Sequence, residues 1–291
     1  MAGTASGGAR RNRVAPYLLV LPGLAYLALF FVVPILTLAK TSLSVREGSP
    51  FDPTYAFTWE LSNYPDAIDR FSERFLRSFQ YAAIATVFAL LLAYPLAYVI
   101  ALRAGKAKNL LLGLVILPFF VTFLVRTLAW KTILSDDGWV VDVFQTIGLV
   151  PDGGRILSTP AAVIFGLMYN FLPFMILPIY VSLEKIDPRL LEANRDLYGS
   201  AFTGFRKVVV PLSLPGVFAG SLLTFIPACG DFINQQYLGS PQESMIGNVI
   251  QEQFLKVKDY PTAAALSFVL MAIILVGVLA YAKVLGTEEL M

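Results

Sequence analysis

Six long apolar runs, free of charge or nearly so, recur along the chain: about Tyr17 to Ala39, Ser78 to Leu102, Asn109 to Trp130, Pro160 to Leu183, Pro211 to Phe232 and Tyr260 to Ala282. Each reaches the roughly 20 helical residues that cross about 30 Å of hydrocarbon. Only Arg126 and Asp231 place a charge inside these limits. The pattern predicts an all-α polytopic membrane protein with six transmembrane helices over residues 17–285, between an N-terminal tail at 1–16 and a C-terminal tail at 286–291. Pro22, Pro34, Pro95, Pro118, Pro173, Pro178 and Pro227 fall inside the runs. They read either as kinks around a cavity or as the ordinary tolerance of membrane helices for proline.

Composition supports the membrane class. Of the 291 residues 57% are hydrophobic and 14% charged, against about 25% charged in an average soluble domain. The absence of histidine excludes a His-based triad, metal site or proton relay, and a single Cys229 excludes an internal disulfide. No GxxxxGK[ST] loop occurs, so nucleotide binding is not expected in this chain. No cofactor or metal is expected.

Charge placement sets the orientation. One set of alternate connections carries Arg10, Arg11, Arg13, Arg103, Lys106, Lys108, Lys185, Arg189, Arg195, Arg206, Lys207 and Lys283, outnumbering the acids beside them. In the other set, acids outnumber bases. By the positive-inside tendency the first side, with both termini, is cytoplasmic. The first apolar run exceeds the 7–15 residues or so of a signal-peptide core, and five more follow, so it reads as a retained span. The long connections 41–77, 131–159 and 237–259 mix aromatic residues with acids and read as short interfacial helices.

One polar stretch, between spans four and five, breaks the pattern: EANRDLYGSAFTGFRKVVVPLSLPG, Glu192 to Gly216. Asp187 before Pro188 fits an N-cap and first turn. Leu190, Leu191, Asn194, Leu197, Tyr198 and Ala201 then recur at helical spacing, with Glu192, Arg195, Asp196 and Gly199 mostly on the other side. Gly199 and Ser200 offer a turn and a second N-cap. Two short amphipathic helices outside the bilayer make a protrusion that another protein can grip.

These residues resemble the EAA loop of binding-protein-dependent ABC importer permeases, here within 184–211. Glu192, Ala193, Asp196, Gly199 and Pro211 match the pattern. Asn194 stands where the second alanine is expected, and Tyr198 where the glycine is expected, with Gly199 one place later. The resemblance implies the type I ABC importer permease fold and a coupling helix seated on a cytoplasmic ATPase, with Glu192, Ala193, Arg195, Asp196, Tyr198 and Gly199 at the contact. It also implies two ATPases, a second permease chain and an extracytoplasmic binding protein as partners, in the bacterial inner membrane.

LPFFVTFLVRTLAW (117–130), YNFLPFMILPIYVSLEKIDPRLLEA (169–193), GDFINQQYLGSP (230–241) and MIGNVIQEQFL (245–255) are similar to the spermidine/putrescine-type branch. That branch implies a polyamine cargo, with metal chelates, phosphonates and opine-like solutes as alternatives within it. A polyamine path needs carboxylates for ammonium groups and aromatic faces for cations and methylenes. Asp231 is the acid placed for this, or else the ion-pair partner of Arg126. Trp130, Tyr169, Asn170, Asn234 and Gln235 line the path, or serve as interface anchors where aromatic. A secondary transporter would need ionisable groups deep in the spans, which are nearly lacking. An intramembrane enzyme would need paired carboxylates or a Ser/Lys pair there.

Overall fold

The computed structural model describes residues 15–49, 53–148, 151, 153–196 and 200–284. Among the described residues five continuous helices are long and apolar enough to cross a membrane: Val20–Ser42, Asn63–Leu102, Pro160–Glu184, Ala201–Cys229 and Tyr260–Lys283. Gly105–Phe120 and Phe123–Ile133, which meet at 94°, are together long and apolar enough for a sixth crossing if the pair counts as one span. The third apolar run, in which Pro118 allowed for a kink, is thus sharply bent. Pro118 sits in the 3-10 turn Leu117–Phe120, and Val121 (φ −105°, ψ 133°) and Thr122 (φ −60°, ψ 147°) are extended, so the helical ladder stops and restarts.

The second span begins at Asn63, fifteen residues before its expected start at Ser78. Its 40 residues extend to about 60 Å at 1.5 Å each, twice the hydrocarbon thickness. The first turns, with Asp66, Asp69, Arg70 and Glu73, thus continue the helix beyond the apolar run. In place of an interfacial helix, residues 41–77 hold an antiparallel hairpin ahead of that extension. Strand β1 (Ser44–Gly48) pairs with β2 (Pro53–Phe57), Ser44 opposite Phe57. Tyr55 ties the hairpin to the sixth span, donating to the Lys258 carbonyl at 2.5 Å, its ring 5.0 Å from that of Tyr260. The other two long connections do contain short helices, Trp139–Thr146 and Ile246–Glu252.

Spans two, four and five form the centre. Ala82, Ala85, Ala89, Ala93 and Ala97 are fully buried on one face of the second span, so neighbouring helices approach closely. Between spans four and five the approach depends on Gly216 and Gly220, a GxxxG pair. A Cβ at Gly216 would meet the Pro178 carbonyl oxygen at 2.5 Å, and one at Gly220 the Met175 carbonyl oxygen at 2.9 Å. The first span packs chiefly on the sixth and leaves most of its surface exposed.

Candidate functional site

The short helices that follow two chain breaks pack together in the bundle. The fifth span ends at Cys229, and after Gly230–Phe232 the short helix Ile233–Leu238 starts, packed against both the restarted third span and the fourth span. Room for it comes from Gly166, where a Cβ would meet Leu238 Cδ1 at 2.4 Å and Asn234 Oδ1 at 2.7 Å.

A knot of buried polar side chains lies at this junction. Asn170 Nδ2 donates to Asn234 Oδ1 at 2.8 Å and to Thr127 Oγ1 at 3.1 Å, and Thr127 Oγ1 reaches Asn234 Oδ1 at 3.3 Å. All three residues are fully buried. Asp231 Oδ1 accepts from the Asn234 backbone N–H at 2.8 Å, capping the short helix, and is 7% exposed. Gln235 Nε2 donates to the Ser240 carbonyl at 2.6 Å. Asn170 Oδ1 is buried with no hydrogen-bond partner among the described residues, while the Asn234 side-chain amide stands beside the Asp231 carboxylate. In a medium of low dielectric such an unpartnered group is costly, so the knot holds unused hydrogen-bonding capacity.

Of the sequence-predicted path residues, Asn170, Asn234, Asp231 and Gln235 thus fall at one junction. Trp130 and Tyr169 stand beside it, ring centroids 5.1 Å apart and edge to face, with Phe165 packed on both. Arg126 is buried over the Phe123 ring at 5.6 Å. It makes no ion pair with Asp231, since no oxygen of that carboxylate lies within 4.0 Å of a guanidinium nitrogen. Thr127 and Phe165 were not anticipated. Thr127 follows Arg126 in an apolar run, and only its contact with Asn170 reveals its role.

The opposite end of spans four and five carries the polar loop. The helix Pro188–Asp196 begins as anticipated, the Arg189 N–H donating to Asp187 Oδ1 at 2.9 Å. Ser200 caps the next helix, its Oγ accepting from the Thr203 N–H at 3.1 Å. Glu192, Ala193 and Asp196 are exposed; Tyr198 and Gly199 lie outside the described residues, as does the side chain of Arg195. Asn194 Nδ2 donates to the Ser200 carbonyl at 3.3 Å, and a Cβ at Gly204 would meet that nitrogen at 2.9 Å. The departure at Asn194 therefore braces one loop helix on the other. Leu190, read as apolar-face, is 47% exposed, and Phe202 is 71% exposed. Phe205 anchors the loop to the second span, edge to face with Tyr94 at 6.0 Å and Tyr98 at 5.7 Å.

Known proteins resemble this chain in sequence and in fold. Residues 93–284 match the family of binding-protein-dependent transport system inner membrane components. The spermidine/putrescine transport system permease protein PotB of Escherichia coli strain K12 is 38% identical over 257 residues, 88% of this chain and 92% of that protein. PotB of Haemophilus influenzae is 38% identical over 255 residues, 86% of this chain and 88% of that protein. Among solved structures, the bacterial alginate ABC transporter in complex with a pentasaccharide-bound periplasmic protein contains a chain of TM-score 0.68 and 17% identity, covering 92% of this chain and 93% of that one. With the family matched over most of its length and the fold shared with an ABC importer, this chain belongs to the binding-protein-dependent transport system inner membrane components: a multi-pass transport subunit, not an enzyme.

Proposed function

We propose that the chain is one of two permease subunits of an ATP-driven importer for polyamines, spermidine or putrescine. The observation that carries the cargo assignment is the 38% identity to PotB across nearly the whole of both chains. A second, homologous permease completes the pathway, a pair of cytoplasmic ATPases drives it, and an extracytoplasmic binding protein delivers cargo. Both termini lie in the cytoplasm, on the same side as the polar loop.

The helix Pro188–Asp196 is the coupling helix. Glu192, Ala193, Arg195, Asp196, Tyr198 and Gly199 form its ATPase contact, with exposed Leu190 and Phe202 adding apolar area. When ATP draws the two ATPases together, their grooves move this helix. Spans four and five, locked through Gly216 and Gly220, move as one lever, and Phe205 carries the second span with them. The far ends of those spans hold the polar knot, so the motion parts the junction at Asn170 and Asn234 and opens a cavity towards the binding protein. Hydrolysis resets it.

In the opened junction Asp231 supplies a carboxylate for an ammonium group, and Asn170 Oδ1 a carbonyl acceptor with no internal partner. Trp130 and Tyr169 offer faces to methylene segments and to the cation. The test is ATP hydrolysis by the reconstituted complex with its binding protein. Spermidine or putrescine should stimulate it, while a phosphonate or a metal chelate should not. The reverse pattern would overturn the polyamine assignment and leave the importer intact.

A further inference from the structure

The loop that leaves the short helix Ile233–Leu238 is held at both ends. At its near end Gln235 Nε2 donates to the Ser240 carbonyl at 2.6 Å, and the Gly239 N–H donates to the Gln235 carbonyl at 2.9 Å. At its far end one face of the second span grips it. Arg77 donates to the Gln242 carbonyl, which Arg74 Nη1 also reaches at 3.3 Å, and Arg77 Nη1 reaches the Ser244 carbonyl at 3.5 Å. The Tyr81 hydroxyl donates to the Glu243 carboxylate. Ser78 Oγ, fully buried, accepts the Ile246 N–H at 2.7 Å. Residues three and four apart are neighbours on a helix, so Arg74, Arg77, Ser78 and Tyr81 share one face. From Arg77 to Tyr94 the same continuous helix advances about 25 Å at 1.5 Å per residue. There it meets span five and the polar loop: the Tyr94 hydroxyl stands 2.8 Å from Ser213 Oγ, and Tyr94 and Tyr98 pack on Phe205.

We propose that this grip is a clasp through which the second span positions the cargo junction: Arg77, Tyr81 and Glu243 fix the loop, the loop fixes the short helix, and the short helix presents Asn234 and Gln235. The inference rests on the transport reading above. Motion that enters at Phe205 is carried along the second span, since a continuous helix moves as a rigid element. Asn170 belongs to the fourth span and Asn234 to the clasped helix, so the two sides of their hydrogen bond answer to different elements and can be drawn apart. Without the clasp the short helix follows the fifth span, to which Gly230–Phe232 join it, and the junction stays shut. Glu243 acts here by position and not by charge: what holds it is a neutral hydroxyl, which the amide oxygen of a glutamine can equally accept.

The test uses the complete reconstituted transporter with its binding protein. It reads labelled spermidine imported per ATP hydrolysed, beside the spermidine-stimulated ATPase rate itself. Tyr81→Phe and Glu243→Ala should each lower import per ATP by about tenfold, the scale of a lost hydrogen bond to a charged group, and leave the stimulated ATPase rate within about threefold of wild type. A merely structural loss would lower both rates together. Glu243→Gln, which still accepts the Tyr81 hydroxyl, should keep wild-type import per ATP. The double variant Tyr81→Phe/Glu243→Ala should do no worse than the poorer single one, because both remove the same contact. Thermal unfolding shows whether each variant folds. Should Glu243→Ala fail, Tyr81→Phe, which removes one oxygen, makes the same comparison against Glu243→Gln.

Unchanged import per ATP in Tyr81→Phe and Glu243→Ala would overturn the clasp. So would losses that multiply in the double variant, or a Glu243→Gln that fails as badly as Glu243→Ala, which would make Glu243 a charged contact for the cargo and not a positioning residue. Failure of the polyamine reading would show separately, as a wild-type complex whose ATP hydrolysis spermidine does not stimulate. The same ratios are then read with the phosphonate or metal chelate that does stimulate it.

Discussion

A single methyl group on Gly166 would strike Leu238 Cδ1 at 2.4 Å and Asn234 Oδ1 at 2.7 Å, because the fourth span leaves that space for the short helix after the fifth. Gly166→Ala should therefore destabilise the chain by about 1–3 kcal/mol, the range for overpacking a filled site. A lowered thermal unfolding temperature of the purified protein checks this. Asp231→Asn is close in shape and can still accept the Asn234 N–H, but it lacks the charge. The expected outcome is a spermidine-stimulated ATPase rate lower by about tenfold or more, on the scale of a lost charged contact in a buried site, with assembly of the complex unchanged. At this scale Asp231, Asn234 and Gln235 were legible as polar residues in an apolar setting. Thr127 and Gly166 were not, since each acquires its meaning from a contact with a segment tens of residues away.

Among the elements, apolar periodicity located the long apolar helices but not how they are built. The second span's helix continues through charged residues because helical hydrogen bonding does not end where hydrophobicity does. The bend at Val121–Thr122 is signalled only by Pro118, one of eleven prolines in the expected spans, and among the described residues the others produce no comparable break. The polar loop read clearly by contrast, because caps such as Asp187 and Ser200 are local. Its attachment through Phe205 was hidden, since Tyr94 and Tyr98 lie more than a hundred residues earlier. Phe205→Ala removes two edge-to-face contacts of about 0.5–1.5 kcal/mol each. It should leave the ATPase bound while weakening the stimulation of ATP hydrolysis by cargo-loaded binding protein. Gly220→Leu should force spans four and five apart at Met175 and lower the unfolding temperature by more than Phe205→Ala does.

Across the whole molecule the two candidate regions are joined by spans four and five: the polar loop connects the spans at one end, and beyond the other end of span five the short helix brings Asn234 to Asn170 of span four and Thr127 of span three. That arrangement suits a lever, with force entering at the loop and the cargo junction responding. The decisive measurement replaces Glu192 and Gly199 together by alanine, then compares ATP-driven spermidine uptake in proteoliposomes and retention of the ATPase with the unaltered complex. Loss of uptake and weakened ATPase retention, with membrane insertion intact, is the predicted result. Normal uptake with the ATPase fully retained would contradict the account.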